Sequence, residues 1–226
     1  MVINSICFSI FLKENCIEYN MENTIKLLKL FEEKNVITSF VTELGQDMKQ
    51  IERPLIKSSI DNILLILGSL RIDMRNDDLD KIIGSYSPYS KEELLNYFEK
   101  FKFYFEKLKS NFENLNINRV AINLYISCDR NDITLSSKIN CLDLYNADEN
   151  KVISNLSQKN VIKLFNFKKS EVNAIFNLIA SDKLNIKFDI NTLYNINNKF
   201  ENEEIYSFFK DSIELITNLV LKLLEE

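Results

Sequence analysis

The chain has 226 residues, a net charge of −5, and neither histidine nor tryptophan. The charge divides as −3 over residues 1–113 and −2 over 114–226, so neither half offers the cationic surface that a phosphate backbone requires, and direct nucleic-acid binding is not expected. Without histidine, Ser-His-Asp and Cys-His nucleophilic sites and imidazole metal ligands are excluded.

Sixteen Phe and nine Tyr provide apolar area for a sizeable core. Disulfides are then not needed for stability. Cys7, Cys16, Cys128 and Cys141 form no C-x-x-C pair. They read as reduced thiols of a cytoplasmic protein and not as a zinc site. Three scattered glycines cannot make a phosphate-binding loop, and no cofactor is expected.

Residues 2–12 alternate apolar and polar side chains, which predicts a strand, and they lack the basic leader of a signal peptide. Asn20 can cap a helix running to about residue 34. Residues 36–44 are β-branched and predict a second strand. Residues 46–57 read as a loop or a weak edge strand, because Pro54 cannot donate to a ladder. Segments 60–67 and 70–75 flank Gly68-Ser69 and predict a hairpin with a two-residue turn, or one long bent strand. The apolar run at 63–67 is far too short to span a bilayer, and no membrane segment is expected.

Ser90 and Glu93 form a capping box that opens the clearest helix. Leu94, Phe98, Phe101, Phe105, Leu108 and Phe112 recur there at spacings of four and three. Tyr97, Phe103 and Tyr104 widen the stripe. One reading buries this helix between a sheet and a neighbouring helix. The other makes Tyr97, Phe101, Phe103 and Tyr104 a contact for a protein partner or a second copy in a homodimer. A strand follows at 117–128 and a shorter one at 133–140. Residues 146–166 read as helical, 171–180 and 184–194 as a hairpin, and 201–225 as a closing helix with Ile205, Phe209, Ile213, Ile216, Val220 and Leu223 on one face.

The layout repeats. Residues 3–11 and 117–125 both open on Ile-Asn and alternate, and SKEELLNYFEKFKFYFEKL lines up with ENEEIYSFFKDSIELITNL. The expected fold is α+β: an antiparallel sheet with helices packed on one face. Two βαββα-like units, 1–113 and 114–226, would share one core in a single domain.

Two clusters carry candidate chemistry. Asp73, Asp77, Asp78 and Asp80 follow a strand and could hold Mg²⁺ through oxygen ligands, or form a solvated loop. Arg71 and Arg75 project from one strand face towards an anionic ligand, or pair with Asp73 between them, and Arg119 offers a third guanidinium.

The passage from PYSKEELLNYFEKFKFYFEKL into LNINRVAINLYIS resembles a family of bacterial proteins distributed sporadically among genomes. In that family a long helix leads into a strand reading Arg-apolar-Gly-apolar-Arg-Tyr-apolar-Asn. Arg119 matches the first Arg, and Val120 and Ile122 match apolar positions; Ala121, Asn123, Leu124 and Ile126 depart from it. The sporadic distribution implies mobile elements and conflict between bacteria and phage. The expectation is a non-catalytic protein-binding module, an inhibitor, adaptor or immunity-type factor, with the aromatics as anchors. The alternatives are a carboxylate-dependent metal nuclease or phosphodiesterase, and a small-ligand sensor with its pocket at the joint between the halves.

Overall fold

A computed structural model of the chain describes residues 1–14, 17–44, 49–76, 87–112, 115–129, 151–155, 158–167, 170–180, 183–193, 197 and 199–224. The first half contains β1 (Val2–Leu12), α1 (Met21–Leu30), a 3-10 turn (Glu32–Lys34), β2 (Val36–Leu44), β3 (Gln50–Ser58), β4 (Ile63–Leu67), β5 (Arg71–Arg75), β6 (Ser87–Pro88) and α2 (Lys91–Asn111). The second contains β7 (Ile117–Asp129), β8 (Lys151–Asn155), β9 (Gln158–Phe167), β10 (Ser170–Ala180), β11 (Lys183–Thr192) and α3 (Asn202–Leu224).

All described strands belong to one antiparallel sheet, ordered β2-β3-β4-β5-β1-β7-β11-β10-β9-β8, with β6 on the end of β1. The α+β class with an antiparallel sheet is therefore as expected. Each half places its opening strand at the centre and runs a four-strand meander between it and the sheet's edge. The two opening strands, β1 and β7, pair with each other.

This arrangement corrects the βαββα layout, because four strands stand where two were expected. Residues 151–155 and 158–167 are strands, not helix. Val161, Ile162, Leu164 and Phe165 fit a helical stripe and a strand equally well, and the continuous ladder from β9 to β10 decides for the strand. Residues 50–58 are also a full strand, and the sheet's edge is β2. Pairing with β4 begins only at Leu55, so at Pro54 the strand has a partner on one side alone. The hairpin at Gly68 exists, but Leu67 pairs with Ile72, so its loop has four residues and not two. A Cβ at Gly68 would stand 2.8 Å from the Arg71 carbonyl oxygen, which is why glycine fits there. The strand expected at 133–140 lies outside the described residues.

Local signals account for the helices. Asn20 accepts from the Asn23 N–H at 2.8 Å, and Ser90 accepts from the Glu93 N–H at 3.0 Å. α1 stops at Leu30 and a 3-10 turn replaces its expected last turn.

α2 and α3 cover one face of the sheet. Phe8 on β1 touches Phe98 and Phe101 of α2 and meets Phe209 of α3 edge-on at 5.1 Å. Phe209 in turn meets Phe101 at 4.9 Å. Ile6, Ile10, Ile72, Met74, Val120, Ile122, Leu124, Phe188 and Ile190 complete this dry layer. Each such side chain, fully buried, contributes roughly 1.5–3 kcal/mol. The two stripes therefore meet each other and the sheet within one chain.

Candidate functional site

Strands expose alternate residues to opposite faces, so the register fixes what lies opposite the helices. Three cross-strand rows occupy the centre of that face, which is helix-free among the described residues. Arg71, Phe11 and Arg119 form the first. Asp73, Ser9, Ala121 and Asn191 form the second, and Arg75, Cys7, Asn123 and Asp189 the third. Ser5, Tyr125 and Lys187 continue the pattern.

Phe11 is flanked by cations from both neighbouring strands. The Arg71 and Arg119 guanidinium carbons lie 5.1 and 4.6 Å from its ring centroid, within the range of cation–π attraction. Just past Phe11 the pairing slips by one residue, so that Leu12 faces Ile117 and Asn118 is the extra residue of a bulge. Such a bulge re-aims the side chain beside it, here Arg119.

The two arginines are held differently. Arg71 donates from Nε to Asp73 Oδ1 at 2.6 Å and from Nη2 to the Ser9 hydroxyl at 3.2 Å. Ser9, fully buried, donates to the same Asp73 oxygen at 2.5 Å. Arg119 instead donates to neutral acceptors: Nε to the Thr192 carbonyl at 3.1 Å and Nη2 to Asn191 Oδ1 at 3.0 Å. Asn191 passes the contact on, donating to Asp189 Oδ1 at 3.0 Å. Among the described residues Arg119 has no ion-pair partner. Its pKa is lowered from the usual guanidinium value, chiefly by burial; Asp189 opposes the shift and the neighbouring Arg71 adds to it.

Cys7 completes the row below, 3.5 Å from the Ser9 hydroxyl. Burial, reinforced by the Asp73 charge, pushes its thiol up to about 12. It is therefore a protonated thiol at neutral pH and not an activated nucleophile.

The expected site residues sort themselves clearly. Arg71, Arg75 and Arg119 do share one face, and the expected Arg71–Asp73 pair is formed. Asp73 is engaged by Arg71 and Ser9; Asp77, Asp78 and Asp80 lie outside the described residues. Among the described residues no group of three His, Cys, Asp or Glu side chains is placed to hold a metal ion.

The partner-contact reading of the aromatics is corrected for three of the four. Tyr97, Phe101 and Tyr104 are buried in the core, because α2 packs on the sheet and against its neighbouring helices. Tyr104 donates to Asp61 at 2.9 Å, and Lys34 pairs with the same carboxylate at 3.0 Å. Burial raises the Tyr104 phenol well above its ordinary pKa, with Asp61 adding to the shift. Phe103 is partly buried, with the Lys34 and Lys107 ammonium groups over its ring.

Among the described residues, a cavity of about 620 Å³ lies at the outer end of the first half. It is lined by Glu18, Tyr19, Thr42, Gln50, Ile51, Glu52 and Arg53. Arg53 pairs with Glu43 at 2.7 Å, and Glu43 also accepts from the Ser69 N–H at 3.0 Å. Burial acts to raise Glu43, but these hydrogen bonds outweigh it and hold the carboxyl below its usual range.

Sequence reasoning misses Phe11, Ser9, Asn191 and Asp189. The one signal it offers is Phe11 itself, a large aromatic on the face of β1 that otherwise carries Ser5, Cys7 and Ser9. Among known proteins, no family model, curated protein or solved structure matches the chain.

Proposed function

We propose that the chain is a non-catalytic binding module that holds a protein partner on the helix-free face of its sheet. The observation that carries this reading is the Arg71–Phe11–Arg119 row, an aromatic and two guanidinium groups presented together across three strands. Aromatic and arginine side chains are the residue types that dominate binding hot spots. The non-catalytic part draws on a sequence without histidine and on a Cys7 thiol that burial keeps protonated. The family resemblance supports a role as an inhibitor, adaptor or immunity-type factor in bacterium–phage conflict.

The test is affinity capture from host cells with the wild-type chain and two charge reversals. Lys187 is exposed on the helix-free face, and Lys210 is exposed on α3. A stoichiometric protein lost with Lys187→Glu and kept with Lys210→Glu is the expected outcome. Loss with Lys210→Glu alone, or capture of a nucleotide or nucleic acid without protein, would overturn the reading.

A further inference from the structure

We infer that Arg119, with Arg71 across the Phe11 ring, is the subsite for a carboxylate side chain on an acidic segment of that partner; the inference rests on the binding-module reading above. Three observations lead to it. The first is preorganisation. Arg119 is fixed by two hydrogen bonds to β11 and by its contact with Phe11. Its Nη1 donors have no partner among the described residues. A guanidinium held in a plane with an edge to spare matches the two oxygens of a carboxylate.

The second is charge. Arg71 shares its charge with Asp73, whereas among the described residues Arg119 donates to two neutral acceptors, the Thr192 carbonyl and the Asn191 amide oxygen, and forms no ion pair. A half-buried cation without a counterion retains a desolvation cost that an arriving anion removes.

The third sets the class of anion. Arg71 is paired with Asp73, and Arg119 forms no ion pair among the described residues, so the open donors belong to one guanidinium. One carboxylate balances that charge. A polyphosphate or nucleic-acid strand brings many charges to a chain whose net charge is already −5.

The test is a titration of the ¹⁵N-labelled full chain, at constant ionic strength, with triglutamate and separately with inorganic phosphate. The reporters are the Arg119 Nε–H signal and the backbone amides of Phe11 and Asn191. Triglutamate should shift them saturably, with a dissociation constant of about 1 mM, as expected for a small, solvent-competed contact. Phosphate should produce only an unsaturated drift. Arg119→Gln should weaken triglutamate at least about tenfold, read on the amides, since one charge-assisted pair accounts for a factor of that order. Arg71→Gln, on the more exposed side of the ring, should weaken it by a smaller factor and carries the test if Arg119→Gln does not fold. No saturable shift, unchanged binding in the variants, or phosphate binding as tightly as triglutamate would overturn the inference. A null titration beside capture that still fails with Lys187→Glu would remove the carboxylate subsite and leave the binding module standing. Failure of that capture pattern would remove the module itself.

Discussion

Phe8 and Ser9 are neighbours on β1, both fully buried, and they belong to different environments. Phe8 points into the layer under α2 and α3, where Phe98, Phe101 and Phe209 surround it. Ser9 points the other way, into a network with Asp73 and Arg71. The difference separates two kinds of burial. On the helix side, apolar area leaves water and shape is the main requirement. On the free face, each polar atom must keep a partner, and charge has to be matched group by group.

The contrast can be broken most strongly at Phe8. Phe8→Ala should destabilise the fold by about 3–5 kcal/mol, the usual cost of emptying a packed aromatic site, measured by urea unfolding. Alkaline pH attacks the other face. A thiol whose pKa rises on folding keeps its proton in the folded chain while the unfolded chain loses it. Stability from Cys7 is therefore complete below about 9 and declines as pH climbs towards about 12. Unfolding midpoints should fall across that window, and Cys7→Ala should flatten the decline; an unchanged slope would show that the thiol is not the titrating group.

Smaller effects sharpen the comparison. Ser9→Ala removes a hydrogen bond to a charged acceptor and should cost about 2 kcal/mol, less than its neighbour Phe8→Ala. Equal losses would mean that the two faces are not distinct in kind. Ser90→Ala deletes the α2 cap and should cost about 1 kcal/mol, seen as a small drop in Tm with the core otherwise intact. Arg71→Gln should change stability least, by under about 1 kcal/mol, because the side chain is 45% exposed. Its effect belongs to binding, and a large loss of stability there would make the row a structural element instead.

Much of this molecule is legible in its amino-acid pattern. β1, β7, β10 and β11 follow from alternation, β2 from its β-branched residues, and α2 from its capping box and its three-and-four spacing. The Arg71–Asp73 pair follows too, since residues two apart on a strand share a face. The β8 and β9 strands are not legible, because short apolar runs fit both periods until a neighbouring strand accepts their hydrogen bonds. The fate of Tyr97, Phe101 and Tyr104 is ambiguous for a related reason. A helical stripe shows that a face will be covered, and not by what.

By itself, then, the sequence determined the elements with a clear period or cap, the α+β class and which residues of those strands lie on the same side, because these depend on dihedral preference and periodicity alone. Only the tertiary structure decided that α2 and α3 cover each other within one chain. It alone decided that β1 and β7 are adjacent, which brings Arg119 from the second half to the Phe11 ring beside Arg71. Register between strands far apart in the chain is set by the packing of the whole sheet, and no local pattern records it.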